Sequence, residues 1–187
     1  IDPKGQRVLL SDGESLPYDK LLVATGSRPF VPPMEGLDRV KNKFSFMTLD
    51  DAKAVKAVIR QDSKVLIVGA GLIGLKAAEG LNGKVGEIAV VDLADRVLPS
   101  ILDETGSSIV RKHIESKGVR FYLSDSVACF DENAAHLKSG GCIEFDILIV
   151  AVGVRPNTEL VGEAGGEVHR GIVTDANQET TLPDIYS

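Results

Sequence analysis

Short apolar runs broken by glycines and polar turns recur along the whole chain, and their lengths predict more strands than helices. Residues 1–30 read as strand, turn, strand, turn, strand, and Leu21 to Ala24 reads as continuous and buried on both faces. Pro29, Pro32 and Pro33 make residues 27–37 a stiff connector. Thr48 is placed to cap a helix running to about Arg60, with Asp51 three residues on and Ala52, Val55 and Ile59 on one face. Lys64 to Asp92 reads strand, glycine turn, helix, strand. Asp103 to Lys117 is a second helix, with Ile109, Val110, His113, Ile114 and Lys117 on one face and Gly118 as its stop. Val119 to Leu123 is a strand. Runs near 126–131, 134–138 and 142–145 suggest an antiparallel meander, turned at Ser139-Gly140-Gly141, before a strand at 147–151. Residues 157–187 predict only a brief helix and a short strand. The fold class is α/β: a Rossmann-like parallel sheet with helices and an antiparallel β-meander.

One pattern occurs twice. Tyr18 to Pro29, YDKLLVATGSRP, returns 127 residues later as Phe145 to Pro156, FDILIVAVGVRP, and seven of twelve positions are identical. The register extends backwards, pairing Leu10 with Leu137, Gly13 with Gly140 and Leu16 with Ile143. Each copy runs from a turn into an apolar strand that ends on glycine, where the backbone can turn sharply and a ligand can approach it. Ligands of open α/β sheets gather at such carboxyl ends.

The stretch between the copies carries the most chemistry. An apolar run, Val65 to Val68, feeds Gly69-Ala70-Gly71-Leu72-Ile73-Gly74. A helix follows, then the strand Ile88 to Val91, tipped by Asp92, which stands 18 residues after Gly74. That order is the one a dinucleotide-binding βαβ unit requires. Gly69 permits the bend, Gly71 leaves room for a diphosphate against bare backbone, and Gly74 lets helix and strand pack closely. The helix start offers free N–H groups and a positive dipole end. Asp92 suits both hydroxyls of an adenosine ribose and repels a 2′-phosphate, which favours NADH over NADPH. Arg96, four residues on, either counters that preference or simply partners Asp95.

The bulk numbers exclude several classes. A net charge of −6 over 187 residues, with no basic run, argues against nucleic-acid binding. Apolar runs stay far below the about 20 residues of a membrane span. Cys129 and Cys142 have no CxxC or metal-ligand spacing, which suits a soluble protein of a reducing, cytoplasmic compartment and predicts no metal. Both read as small core residues without a redox role. His113 reads as a helix-face residue, and His136 and His169 as isolated. No catalytic acid, base or nucleophile stands out.

On these motifs the chain resembles the pyridine nucleotide–disulfide oxidoreductases, FAD-containing enzymes that include NADH oxidases and rubredoxin, ferredoxin and nitrite reductases. Tyr18 to Pro29 resembles the segment closing their FAD site, Gly69 to Asp92 their NAD fingerprint, and Phe145 to Asn157 the segment returning from NAD domain to FAD domain. Asp184 to Ser187 resembles the residues just before a further FAD motif. The resemblance implies 1–45 as part of an FAD-binding domain, 46–153 as the NAD(P)-binding domain and 154–187 as the return segment, with the family's own FAD glycine turn lying outside the 187 residues. Where the family usually has a glutamate two residues after the last glycine, this chain has Lys76, with Glu79 one turn on.

The implied activity is hydride transfer from NAD(P)H to flavin and onward to an acceptor, a small molecule or a redox protein. Gly69, Ala70, Gly71 and Gly74 are then expected around the diphosphate, Leu72 and Ile73 packed at the helix start, Asp92 on the ribose and Gly153 beside the nicotinamide. Ala24, Thr25, Gly26 and Arg28 are expected near FAD, with Arg28 either pairing with its phosphate or forming an ion pair at a domain seam. The resemblance leaves room for a homodimer. The chain by itself is expected to bind NAD without catalysis. A stand-alone NAD-sensing module is the competing reading, disfavoured by the second nucleotide-closing segment. A single-cofactor dehydrogenase is disfavoured by the late position of the glycine turn.

Overall fold

The computed structural model describes residues 1–187, which form two compact units: residues 29–153, and residues 1–28 with 154–187. In the former, five strands make an all-parallel sheet in the order Lys43–Phe44, Ile147–Val150, Lys64–Val68, Glu87–Val91, Val119–Tyr122. The chain moves outward from Lys64–Val68 in one direction, then returns to place Ile147–Val150 on its other side. Open α/β sheets form their ligand crevice where the order reverses in this way.

Both faces of this sheet are covered, as the uninterrupted apolar runs predict. Val65, Ile67, Val90 and Ile149 point to one face, against Val55 of helix Leu49–Val58 and Leu75, Ala78 and Leu81 of helix Leu72–Leu81. Leu66, Val68, Val91 and Leu148 point to the other face. There they meet Phe130, Ala135 and Ile143 of a three-stranded meander, Val127–Phe130, Ala134–Leu137 and Cys142–Glu144, and Phe145 just after it. Phe130 and Phe145 pack edge to face at 6.0 Å, a favoured geometry for two buried rings.

Helix Leu49–Val58 starts on the expected cap, a reciprocal box. Thr48 Oγ1 accepts from Asp51 N at 3.1 Å, and Asp51 Oδ2 accepts from Thr48 N at 2.9 Å. Burial alone would raise the Asp51 carboxyl. Hydrogen bonds from Met47 N, Thr48 N and Ser45 Oγ outweigh it and hold the group below the usual aspartate value.

Helix Glu104–Glu115 departs from the predicted face. Ile109 is 66% exposed, and the inward side is formed by buried Ser107 with half-buried Val110 and Ile114. The small Ser107 fits because its hydroxyl donates to Val97 O at 2.6 Å, which lets the helix sit close to that loop.

The two sequence copies fold alike. Gly13 N donates to Leu10 O (3.1 Å) as Gly140 N donates to Leu137 O (3.0 Å), with φ of 91° and 96° at the two glycines. Tyr18 N donates to Gln6 O (3.0 Å) as Phe145 N donates to Asn133 O (2.9 Å). Each pair of numbers differs by 127, so the duplicated letters are a duplicated hairpin and strand.

Their surroundings differ. Ile147–Val150 is buried throughout, whereas its counterpart is a two-residue strand, Leu21–Leu22, and Leu22 is 67% exposed. The expectation of a strand buried on both faces to Ala24 fails there. This strand pairs on one edge only, with Ile185–Tyr186, and only Leu21 and Val23 reach a small core with Val161 and Ile185. Residues 27–29, expected in the connector, form a strand with Val154–Pro156. Helix Glu159–Glu163 and strand Ile185–Tyr186 are the predicted brief elements of the last segment.

Candidate dinucleotide cavity

A cavity of about 810 Å³ opens at the carboxyl ends of the central strands of the 29–153 unit. Gly69, Gly71, Leu72, Ile73, Asp92 and Gly153 all line it. The turn is built as its three glycines require. Gly69 has φ of 115°, and a Cβ there would lie 2.4 Å from Ala151 O. A Cβ on Gly74 would stand 2.0 Å from Gly69 O, so side-chain-free backbone lets helix and turn touch. At Gly71 a Cβ would meet nothing within 4 Å: it would project into open space. Two glycines are therefore needed by the fold, while the middle one keeps the cavity clear.

Gly71 also caps helix Leu72–Leu81 without a side-chain hydrogen bond. The first amides of a helix have no partner inside it, and at this end they remain available to an anion. Ala70 plays another part. It is fully buried, its N–H donates to Asp92 Oδ2 at 2.5 Å, and its carbonyl accepts from Leu98 N at 3.0 Å. It shapes the turn, its amide and carbonyl both already bonded within the protein. Asp92 Oδ1 accepts from Ala94 N at 2.7 Å, so two amides fix the carboxylate at the rim.

Leu72, expected to pack at the helix start, is 58% exposed and forms cavity wall, while Ile73 packs on the core. Helix geometry explains the difference, because Leu72 falls on the side away from the sheet. Val152, on the opposite strand end, is 37% exposed. Arg96 does not line the cavity; its Nη1 lies 3.1 Å from Asp95 Oδ1 and its buried Nε has no partner. Lys138 is the only basic side chain in the lining, and Asp92 and Asp125 are the acids. Neither Lys138 nor Asp125 stands out in sequence; each follows a short meander strand or turn, and only the tertiary fold brings them to Asp92.

Ala24, Thr25, Gly26 and Arg28 belong to the other unit. All four are exposed, and Gly26 has φ of 65°. Arg28 is engaged: Nη1 lies 2.6 Å from Glu159 Oε1 and donates to Asn157 Oδ1 at 2.9 Å. Asn157 further donates through Nδ2 to Thr25 O (2.8 Å) and accepts from Thr25 Oγ1 (2.9 Å).

Lys76 is exposed and paired with Glu79 at 2.6 Å on its own helix. His136 and His169 pair with Asp131 (2.8 Å) and Glu167 (3.0 Å), so they are not isolated as expected. Cys129 and Cys142 are free and stand on either side of His136 across the meander, and Cys142 is exposed rather than a core residue. No three His, Cys, Asp or Glu side chains converge on a metal-sized space. No helix is long and apolar enough to cross a membrane.

A parallel sheet covered by helices on one face and a meander on the other, with a glycine turn at its switch point, is the architecture of the FAD/NAD(P)-binding oxidoreductases. The sequence profile described as "Pyridine nucleotide-disulphide oxidoreductase" matches residues 1–187, and the chain belongs to that family. It is 35% identical over 191 residues to the assimilatory nitrate reductase electron transfer subunit of Bacillus subtilis, covering 100% of this chain and 25% of that protein. It is 34% identical over 197 residues to the NADH oxidase of Methanocaldococcus jannaschii, covering 100% of this chain and 44% of that one. Putidaredoxin reductase, solved in covalent complex with putidaredoxin, superposes with a TM-score of 0.92 at 29% identity, over 100% of this chain and 47% of its own. The chain thus spans a quarter to under a half of these relatives.

Proposed function

We propose that this chain is the NADH-binding part of an FAD-dependent oxidoreductase that passes hydride from NAD(P)H to flavin and on to a redox-protein acceptor. One observation carries the nucleotide reading. The Asp92 carboxylate reaches back to the glycine turn, at Ala70 N, beside open space over Gly71 and the uncapped start of a helix. The helix amides would take the diphosphate, Asp92 the adenosine ribose, and Gly153 the approach of the nicotinamide half.

Flavin, where bound, supplies the redox chemistry by accepting hydride. The residues of this chain bind and orient. Ala24, Thr25 and Gly26 fit a flavin-side contact because they are exposed and end on glycine at positive φ. Arg28, already paired with Glu159 and Asn157, fits the holding of the return segment better than an FAD phosphate. The redox-protein acceptor is supported by the likeness to putidaredoxin reductase. The second copy of the strand-and-glycine pattern favours an enzyme over a lone NAD sensor.

Fluorescence titration of the 187-residue chain with NADH tests the site. Saturable binding, competed by ADP-ribose, is expected; no binding at millimolar NADH would overturn the reading.

A further inference from the structure

We propose that Lys138, and not Arg96, decides how far this cavity admits a dinucleotide carrying a 2′-phosphate. The inference rests on Asp92 being the ligand of the adenosine ribose.

Arg96 is the residue that sequence position suggests, but its geometry is wrong for the task. It lies outside the cavity lining, its guanidinium is turned onto Asp95, and its Nε is buried without a partner. Lys138 is brought to the ribose end by a chain of backbone bonds. Its own N–H donates to Ser126 O at 2.9 Å, and the neighbouring Asp125 N–H donates to Asp92 O at 3.1 Å. The tip of the meander hairpin therefore stands beside the strand end that carries Asp92, and Lys138 is exposed there with a flexible stem.

Charge decides the rest. Asp125 accepts from Ser126 N (2.7 Å) and Ser139 N (3.3 Å); the Ser139 hydroxyl foremost, then the Ser126 and Ser139 amides and Lys138, hold its carboxyl below the usual aspartate value. A 2′-phosphate would meet two carboxylates, Asp92 and Asp125, with the Lys138 ammonium as the one compensating charge in the lining. NADH is the better ligand, and the remaining affinity for NADPH runs through Lys138.

The test measures dissociation constants of NADH, NADPH and 2′,5′-ADP for the 187-residue chain, for Lys138→Ala, Lys138→Arg and Arg96→Ala, with thermal melts to confirm folding. Lys138→Ala should weaken NADPH and 2′,5′-ADP about tenfold more than NADH, Lys138→Arg should restore the ratio, and Arg96→Ala should leave it in place. Equal loss of NADH and NADPH in Lys138→Ala, a ratio that moves with Arg96 instead, or a wild-type chain that binds NADH with no measurable NADPH affinity would overturn the inference. A wild-type chain that binds neither NADH nor NADPH would instead remove the nucleotide reading beneath it.

Discussion

Ala70 N and Asp92 Oδ2 stand 2.5 Å apart, joining the glycine turn to the tip of the next strand. One carboxylate thus ties down the turn and is held in place by it. Asp92→Ala removes two amide acceptors at once. Hydrogen bonds to a charged group are worth about 1.5–3 kcal/mol each. The variant is expected to melt several degrees lower and to lose NADH affinity by well over tenfold, read by calorimetry and by titration. An unchanged melt would show that the Ala70 bond contributes nothing.

The three glycines of the turn separate under alanine substitution. Gly71→Ala should fold and melt like the parent, since its Cβ meets nothing within 4 Å, yet lose NADH binding. Gly69→Ala and Gly74→Ala should lose stability, because their Cβ atoms would press on backbone oxygens of Ala151 and Gly69. Melting curves set beside NADH titrations distinguish these outcomes.

Asp51 makes stability sensitive to acid. Its folded carboxyl lies below its unfolded value, so the stabilisation is complete above about pH 4, the ordinary aspartate range, and is lost as pH falls through the folded value. Asp51→Asn should flatten the melting temperature between about pH 5 and 3. Thr48→Ala should cost about 1 kcal/mol at neutral pH.

The meander thiols should be inert toward function. Cys142 is exposed and Cys129 half-buried, both free. A thiol reagent should modify Cys142 first, with NADH affinity unchanged. A loss of binding on single modification at Cys142 would contradict its position outside the cavity lining.

Local signals carried much of this fold. Lys64 to Asp92 is readable because every position in the turn answers to backbone geometry within a few residues. The Thr48–Asp51 box is readable for the same reason. Exposure at Leu22 was not: its sequence matches that of buried Ile149, and only the number of neighbouring strands separates the two. Ile109 looked inward because the true inward residue, Ser107, is polar and needs Val97 O to be satisfied. The cavity's cation escapes a sequence reading for a similar reason. Arg96 is near Asp92 in sequence, whereas Lys138 becomes its neighbour only through the hydrogen bonds of Asp125 and Ser126.

Phe30 N donates to Gly153 O at 2.9 Å, so the 29–153 unit begins and ends at one place. In the other unit Asn157 N donates to Gly26 O at 2.9 Å, the same bond with the copies exchanged. A segment whose ends meet in this way can be spliced into a host strand without stretching it. The whole body that carries the cavity is thereby a portable cassette, and residues 29–153 alone should fold and keep their cavity when cut free.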